Sequence, residues 1–226
     1  MGGAQEIELK LAVGGPDDLR AVAAAALRRG AGAGPARRQE NFFFDAPDGR
    51  LRRADHTLRL RAEEGRFVLT AKGPLEGRAD PALHLRAEEE AELGADEARA
   101  LQRDGAGALD ALERALGQTS GLVARLRRLL AGAELVHAGA FENERVVVGP
   151  LAAGGAQLYL ELDRTLFPGG RVDCEVELEL PAAALEAGRA LLLALLDEAG
   201  VVGTPAASKA ARFFEAQARA RGERAT

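Results

Sequence analysis

The chain is poor in residues that stack on nucleic-acid bases and in the residue that forms disulfides. Its 226 residues include no Trp, one Tyr and one Cys, and only 4% of them are aromatic. A single cysteine, Cys174, excludes an internal disulfide framework and favours a reducing, cytoplasmic location. The few aromatic residues and a formal net charge of −5 argue against a nucleic-acid partner.

The chain also lacks the apolar segments of secreted and membrane proteins. The N-terminus has no basic region followed by an apolar one, so we expect no signal peptide. The longest apolar run, around residues 190–196, is far shorter than the roughly 20 residues that cross a bilayer. Both absences predict a cytoplasmic protein with no membrane partner.

Hydrophobic periodicity divides the chain into short strands and a few helices. The pattern predicts strands over 5–11, 41–44, 57–62, 67–71, 83–91, 141–148, 157–163 and 171–180. It predicts helices over 17–29, 182–198 and 205–221, and a mostly helical insertion over about 95–131. About eight strands, most of them joined by hairpins, predict one α+β domain over residues 1–226, with a closed antiparallel sheet and flanking helices.

The predicted strands carry charged residues on one face and apolar residues on the other. In the first strand, Glu6, Glu8 and Lys10 share a face because side chains alternate along a strand. Other strands repeat the pattern with Arg59 and Arg61, Lys72, Glu88 and Glu90, Glu161 and Asp163, and Glu175 and Glu177. Cys174 falls on an apolar face, which predicts a small core residue.

This alternation has two explanations. An antiparallel sheet with one face in water shows it without any function. Two features favour a binding site instead: few Thr, Ser or Gln occupy the charged positions, and acidic and basic residues segregate by strand. Carboxylates bind hard cations such as Mg²⁺ or Mn²⁺, whereas Arg and Lys bind phosphate oxygens. One Cys and three scattered His residues exclude a structural zinc site.

Eight motifs in the same order resemble the CYTH superfamily, the triphosphate tunnel metalloenzymes. EIELK at residues 6–10 is similar to the family's ExExK signature, and NFFFDAPDGRL at 41–51 to its YFDTPDGRL segment. The other matches are LRLR at 58–61, LTAKGP at 69–74, RAEEE at 86–90, LELD at 160–163, EVE at 175–177 and SK at 208–209. The resemblance covers nearly the whole chain.

The resemblance implies an eight-stranded antiparallel tunnel with charged side chains inside. It assigns the metal ligands to Glu6, Glu8, Glu88, Glu90, Asp163, Glu175 and Glu177. It assigns the triphosphate ligands to Lys10, Arg59, Arg61, Lys72, Arg86, Arg145 and Lys209. Glu161 and Glu179 are competing acids for the metal.

The function implied by the resemblance is metal-dependent hydrolysis of a small-molecule triphosphate, with Mg²⁺ or Mn²⁺ as cofactor. The substrate would be inorganic tripolyphosphate or an organic triphosphate such as thiamine triphosphate. We place Glu6 or Glu8 near the attacking water, and Lys10 as a phosphate clamp that keeps its proton.

Two alternatives remain at the level of sequence. The first is a class IV-type adenylyl cyclase that makes cyclic AMP from ATP, although the scarcity of aromatic residues argues against a nucleoside pocket. The second is a non-catalytic polyphosphate- or nucleotide-binding module. Loss of metal ligands would mark such a module, and every assigned ligand position retains its acid.

Overall fold

The structure, a computed structural model, describes residues 4–76, 80–117 and 120–222. Its strands are Ala4–Val13 (β1), Gly32–Ala33 (β2), Arg37–Asp45 (β3), Thr57–Glu63 (β4), Arg66–Lys72 (β5), Leu83–Glu92 (β6), Val136–Ala153 (β7), Ala156–Leu166 (β8), Val172–Glu179 (β9) and Thr204–Pro205 (β10). Its helices are Pro16–Arg28 (α1), Arg50–Arg53 (α2), Ala95–Asp104 (α3), Ala108–Leu116 (α4), Gly121–Leu130 (α5), Leu185–Ala199 (α6) and Lys209–Ala220 (α7). Short 3₁₀ turns occupy Pro168–Gly170 and Ala182–Ala184.

The strands form one sheet in the order β10-β1-β6-β5-β4-β3-β7-β8-β9, and β2 pairs with β7. Because β1 pairs with β9 as well as with β6, the sheet closes on itself. Without the two-residue strands β2 and β10, the described residues give eight strands, which confirms the predicted closed antiparallel fold with flanking helices.

The described residues divide into two compact units, each with its own apolar core. The first unit contains residues 4–6, 39–76, 86–117 and 120–142, and the second contains residues 7–38, 80–85 and 143–222.

In the first unit, the helical insertion packs on one face of β4 and β5. Leu58, Leu60 and Leu69 are fully buried there with Leu112 of α4 and Leu126 of α5. Successive side chains of a strand point to opposite faces. Arg59 and Arg61 alternate with Leu58 and Leu60 along β4, so they lie on the face away from the helices.

In the second unit, α1 and α6 cover the apolar face of β1, β8 and β9. Leu9, Leu160 and Leu178 belong to this core, which includes Val22 of α1 and Leu195 of α6. Gly188 permits a close approach of α6 to the sheet, since a Cβ there would lie 2.8 Å from Leu180 Cδ2. The acidic and basic residues of these strands therefore lie on the opposite face.

Several helix boundaries follow from local signals in the sequence. Helix α1 closely matches the prediction for 17–29. Gly105 divides the insertion after α3; its φ of 83° suits glycine, and a Cβ there would lie 2.8 Å from Phe44 Cδ1.

Among the described helices, none is long and apolar enough to span a membrane.

The predicted start of the last helix at residue 205 is wrong. Thr204 and Pro205 instead pair with Ala12 and Leu11 as the short strand β10. The helix begins at Lys209 because the Ser208 hydroxyl accepts a hydrogen bond from Ala211 N at 3.2 Å and so caps the first turn.

Candidate metal and phosphate site

Three carboxylates of the second unit form what we call the acidic cluster: Asp163, Glu175 and Glu177. In the antiparallel pair of β8 and β9, Asp163 lies opposite Glu175, and Glu161 lies opposite Glu177. Directly opposed residues share a face, so strand register brings these acids together. One ligand oxygen from each lies within 4.8 Å of the others, and the three residues are 0 to 4% exposed.

Strand β1 brings a lysine to the acidic cluster. Lys10 lies opposite Glu177 in the β1–β9 pair, and its Nζ is 2.7 Å from Glu177 Oε1. The same ammonium is 3.5 Å from Glu8 Oε2. Burial lowers the pKa of Lys10, but the charges of Glu177 and Glu8 outweigh burial and raise it overall. Lys10 therefore keeps its proton.

Arg145 of β7 binds the acidic cluster from another strand. Its Nε donates to Asp163 Oδ1 at 2.8 Å and its Nη2 to Asp163 Oδ2 at 2.5 Å. Nη2 also donates to Glu177 Oε2 at 2.8 Å, and Nη1 pairs with Glu161. This bidentate contact is the arrangement in which a guanidinium holds a carboxylate most firmly.

The start of α7 adds Lys209. Its Nζ is 2.6 Å from Asp163 Oδ2 and 2.5 Å from Glu177 Oε1, and it also pairs with Glu175 Oε1. Burial would lower the pKa of Lys209, but Asp163, Glu175 and Glu177 raise it well above its usual value. The ammonium is therefore a permanent cation in this cluster.

The cations determine the protonation state of the cluster. Burial would raise the pKa of Glu177, yet Lys10, Lys209 and Arg145 hold it well below its usual range. The pKa of Asp163 is likewise lowered, because Lys209 and Arg145 outweigh the effect of burial. Glu161 differs: burial raises its pKa despite Arg145. Asp163 and Glu177 are thus carboxylates, the form that binds a metal.

A second charged group lies in the first unit and is centred on Lys72. Its Nζ donates to Glu6 Oε1 at 2.6 Å and lies 3.3 Å from Glu88 Oε1. Arg86 Nε lies 3.9 Å from Glu6 Oε2. Burial raises the pKa of Glu88, while Lys72 and Arg59 oppose that rise. We call these five residues the Lys72 group.

The structure places the assigned ligands as follows. Asp163, Glu175 and Glu177 lie together, with Lys10, Arg145 and Lys209 bound to them and Glu8 beside Lys10. Glu6, Arg59, Arg86 and Glu88 belong to the Lys72 group of the first unit. Arg61 lies two residues beyond Arg59 on β4. Glu90 pairs with Thr70 and is exposed, unlike the three cluster acids.

Arg212 is a residue of this site that the sequence motifs do not contain. Its Nη2 contacts Glu175 Oε2, its Nη1 donates to Asp173 Oδ2 at 2.6 Å, and its Nε donates to Ala207 O at 3.0 Å. The residue is 6% exposed. The sequence did contain a signal for Arg212. It lies three residues after Lys209, and residues three apart share a helix face.

The acidic cluster fits a hard divalent cation. It offers carboxylate oxygens alone, all buried and mutually close, which is the donor set that Mg²⁺ or Mn²⁺ takes. Ion pairs with Lys209 and Arg145 show that the position already attracts positive charge.

Comparisons with known proteins agree with this geometry. The model of the CYTH domain family matches residues 4–214. HpAC1 from Hippeastrum, a candidate adenylyl cyclase described as having a dominant triphosphatase activity, is 25% identical, with a TM-score of 0.76 over 97% of each chain.

Two further structures share the fold at lower identity. A candidate adenylate cyclase from Bacillus halodurans is 23% identical, with a TM-score of 0.61 over 95% of this chain and 100% of that one. The PH1819 protein from Pyrococcus horikoshii is 19% identical, with a TM-score of 0.54 over 92% of this chain and 98% of that one. No curated protein matches the sequence. Because the family model spans nearly the whole chain, this protein belongs to the CYTH domain family.

Proposed function

We propose that this protein is a divalent-metal-dependent triphosphatase that hydrolyses inorganic tripolyphosphate or an organic triphosphate such as thiamine triphosphate. The observation that carries the proposal is the buried cluster of Asp163, Glu175 and Glu177, with its lysine and arginine partners. Membership of the CYTH domain family supports it, as does similarity to HpAC1, which is described as a triphosphatase.

In this proposal the two kinds of charged residue have different tasks. The acidic cluster holds the divalent metal, with Glu6, Glu8, Glu88 and Glu90 as the further assigned ligands. Lys10, Arg145 and Lys209, together with Arg59, Arg61, Lys72 and Arg86, bind the phosphate oxygens by charge-assisted hydrogen bonds. When bound, the metal neutralises negative charge that develops on the phosphoryl oxygens.

Catalysis also requires a positioned water and a fixed phosphate chain. We assign Glu6 or Glu8 to orient the attacking water, since each is an acid held by a lysine rather than by apolar packing. Lys10 acts as a clamp rather than a base, because its neighbouring acids raise its pKa and keep it protonated. The attack displaces the rest of the chain in line from the terminal phosphorus.

The test is a substrate panel of tripolyphosphate, thiamine triphosphate and ATP, each with Mg²⁺ or Mn²⁺. Phosphate release and cyclic AMP are measured in the same samples. We expect phosphate release that a chelator abolishes. Failure of every substrate to release phosphate, with either metal, would contradict the proposal.

A matched pair of variants tests the site. Glu177→Gln removes one cluster charge and is expected to lower kcat/KM at least about 100-fold. Glu144→Gln makes the same change at an exposed position of β7 and should leave kcat/KM unchanged. Near-wild-type activity of Glu177→Gln would show that the metal is held elsewhere.

An adenylyl cyclase is the second candidate, because HpAC1 is also described as a candidate adenylyl cyclase. In that reaction the ribose 3′-hydroxyl attacks the α-phosphate and pyrophosphate leaves. Cyclic AMP formed from ATP faster than phosphate is released would favour the cyclase over the triphosphatase.

A further inference from the structure

The ammonium of Lys209 contacts every member of the acidic cluster. Its distances are 2.6 Å to Asp163 Oδ2 and 2.5 Å to Glu177 Oε1, and it also pairs with Glu175 Oε1. The other cations in the described part of the chain contact fewer of these acids. Lys10 contacts Glu177, and Arg145 contacts Asp163 and Glu177.

Three buried carboxylates this close require a cation among them. Like charges at short range raise each other's free energy, and burial removes the water that would screen them. Lys209 supplies that cation with a side chain that is only 11% exposed. A metal bound to the same oxygens would repel the ammonium, so the two cations exclude each other.

Lys209 is placed so that its ammonium can leave while the helix stays in position. It is the first residue of α7, and the Ser208 cap holds the first turn through Ala211 N. A flexible four-carbon stem joins its charge to the backbone. Movement of Nζ therefore requires only rotations of this side chain.

We propose that Lys209 neutralises the acidic cluster in the metal-free protein and is exchanged for the divalent metal, which releases its ammonium to bind the triphosphate. The exchange of Lys209 for the metal rests on the geometry of the acidic cluster alone. The binding of the released ammonium to the triphosphate rests on the proposed function. Metal binding and triphosphate binding are then coupled through one side chain, and each strengthens the other by the same factor.

The first experiment measures metal binding without any triphosphate. Chelator-treated protein is titrated with Mn²⁺, and free Mn²⁺ is followed by electron paramagnetic resonance. Lys209→Met keeps the stem and removes the charge, so it should bind Mn²⁺ about tenfold more tightly than wild type. Arg219→Met, at an exposed position of the same helix, should bind like wild type. An unchanged or weaker Mn²⁺ affinity for Lys209→Met overturns the exchange.

A second experiment uses the wild-type protein and so does not depend on the folding of a variant. The chain has three lysines, Lys10, Lys72 and Lys209, which makes lysine-specific labelling easy to assign. Reductive methylation followed by mass spectrometry gives the rate at each. Saturating Mg²⁺ should speed labelling of Lys209 several-fold, and a non-hydrolysable imidotriphosphate should slow it again. Lys209 that stays protected at saturating Mg²⁺ contradicts the proposal.

These measurements separate the two proposals. Tighter Mn²⁺ binding by Lys209→Met in a protein that hydrolyses no triphosphate would support the exchange and contradict the triphosphatase. Active hydrolysis with unchanged Mn²⁺ binding by Lys209→Met would support the triphosphatase and overturn the exchange.

Discussion

At the scale of a single residue, Arg212 links the last helix, α7, to strand β9, which carries Glu175. It contacts Glu175 Oε2, whereas Lys209 contacts Oε1 of the same carboxylate. It also holds Asp173 at 2.6 Å and lies over the Phe167 ring, 5.5 Å from its centre. These contacts orient Glu175 so that one oxygen faces the rest of the acidic cluster. Arg212 is therefore a positioning residue.

Both Arg212→Ala and Arg212→Lys should weaken Mn²⁺ binding about 10- to 100-fold, because neither replacement can hold Asp173 and Glu175 together. Loss of charge alone would tighten metal binding, so the charge-retaining Lys variant separates positioning from electrostatics. Arg171→Ala is the matched control, since Arg171 binds Asp173 at 2.8 Å and is more exposed. Metal affinity that drops equally in Arg171→Ala would contradict this role. Titration of chelator-treated protein with Mn²⁺ gives all four affinities.

A second prediction at the residue scale is that the burial of His56 makes the stability of the protein depend on pH. It is 1% exposed, its Nδ1 lies 2.6 Å from Ala54 O, and its Nε2 has no hydrogen-bond partner among the described residues. Burial lowers the pKa of His56 below its ordinary value of 6.5, and the charge of Arg125 lowers it further. The unfolded chain therefore binds a proton at a higher pH than the folded one.

The free energy of unfolding should accordingly fall as the pH drops through 6.5 towards the pKa that His56 has in the folded protein. Well above pH 6.5, His56 should make no contribution to the pH dependence. Urea denaturation between about pH 8 and about pH 5 measures the slope of the free energy of unfolding against pH. In His56→Gln this slope should be shallower than in wild type. An equal slope in wild type and variant would show that His56 is not the titrating group.

At the scale of elements, helix α6 has one face buried in a core and another face exposed. Leu195 of α6 is fully buried in the core of the second unit, and Leu193 of the same helix is 54% exposed. The same chemical change at these two sites therefore tests burial while helix propensity stays constant.

Leu195→Ala should reduce the free energy of unfolding by about 2 to 5 kcal/mol, because it leaves a cavity in a close-packed core. Leu193→Ala should change it by no more than about 0.5 kcal/mol. Urea denaturation of the two variants provides the comparison. Equal losses would mean that α6 is not held to the sheet by this face.

At the scale of the whole molecule, metal and triphosphate together should stabilise the native state. A ligand that binds only the folded protein adds about 2.7 kcal/mol at 100 times its Kd. We expect this stabilisation from a non-hydrolysable imidotriphosphate with Mg²⁺, and a large part of it should disappear with a chelator. Thermal denaturation measures both effects. Equal stabilisation with and without the chelator would contradict a metal-dependent site.

Much of the fold was predictable from alternation along the strands. The two-residue period of a strand is enough to predict that Glu6 and Glu8 lie on one face of β1 and Leu9 on the other. Boundaries set by local chemistry were also predictable, such as the break at Gly105. The short strand β10 at Thr204 and Pro205, in place of a first helical turn, was not, because it forms by pairing with β1, a partner nearly 200 residues away in the chain.

The sequence by itself determined which residues are charged, which face of each strand carries them, and the family to which the order of motifs belongs. These properties are local, since they depend on side-chain identity and strand period. Only the tertiary structure decided that Lys209 contacts all three acids and that Arg212 holds Glu175. The partners are 32 to 46 residues apart, so their contact depends on strand register and on the docking of α7.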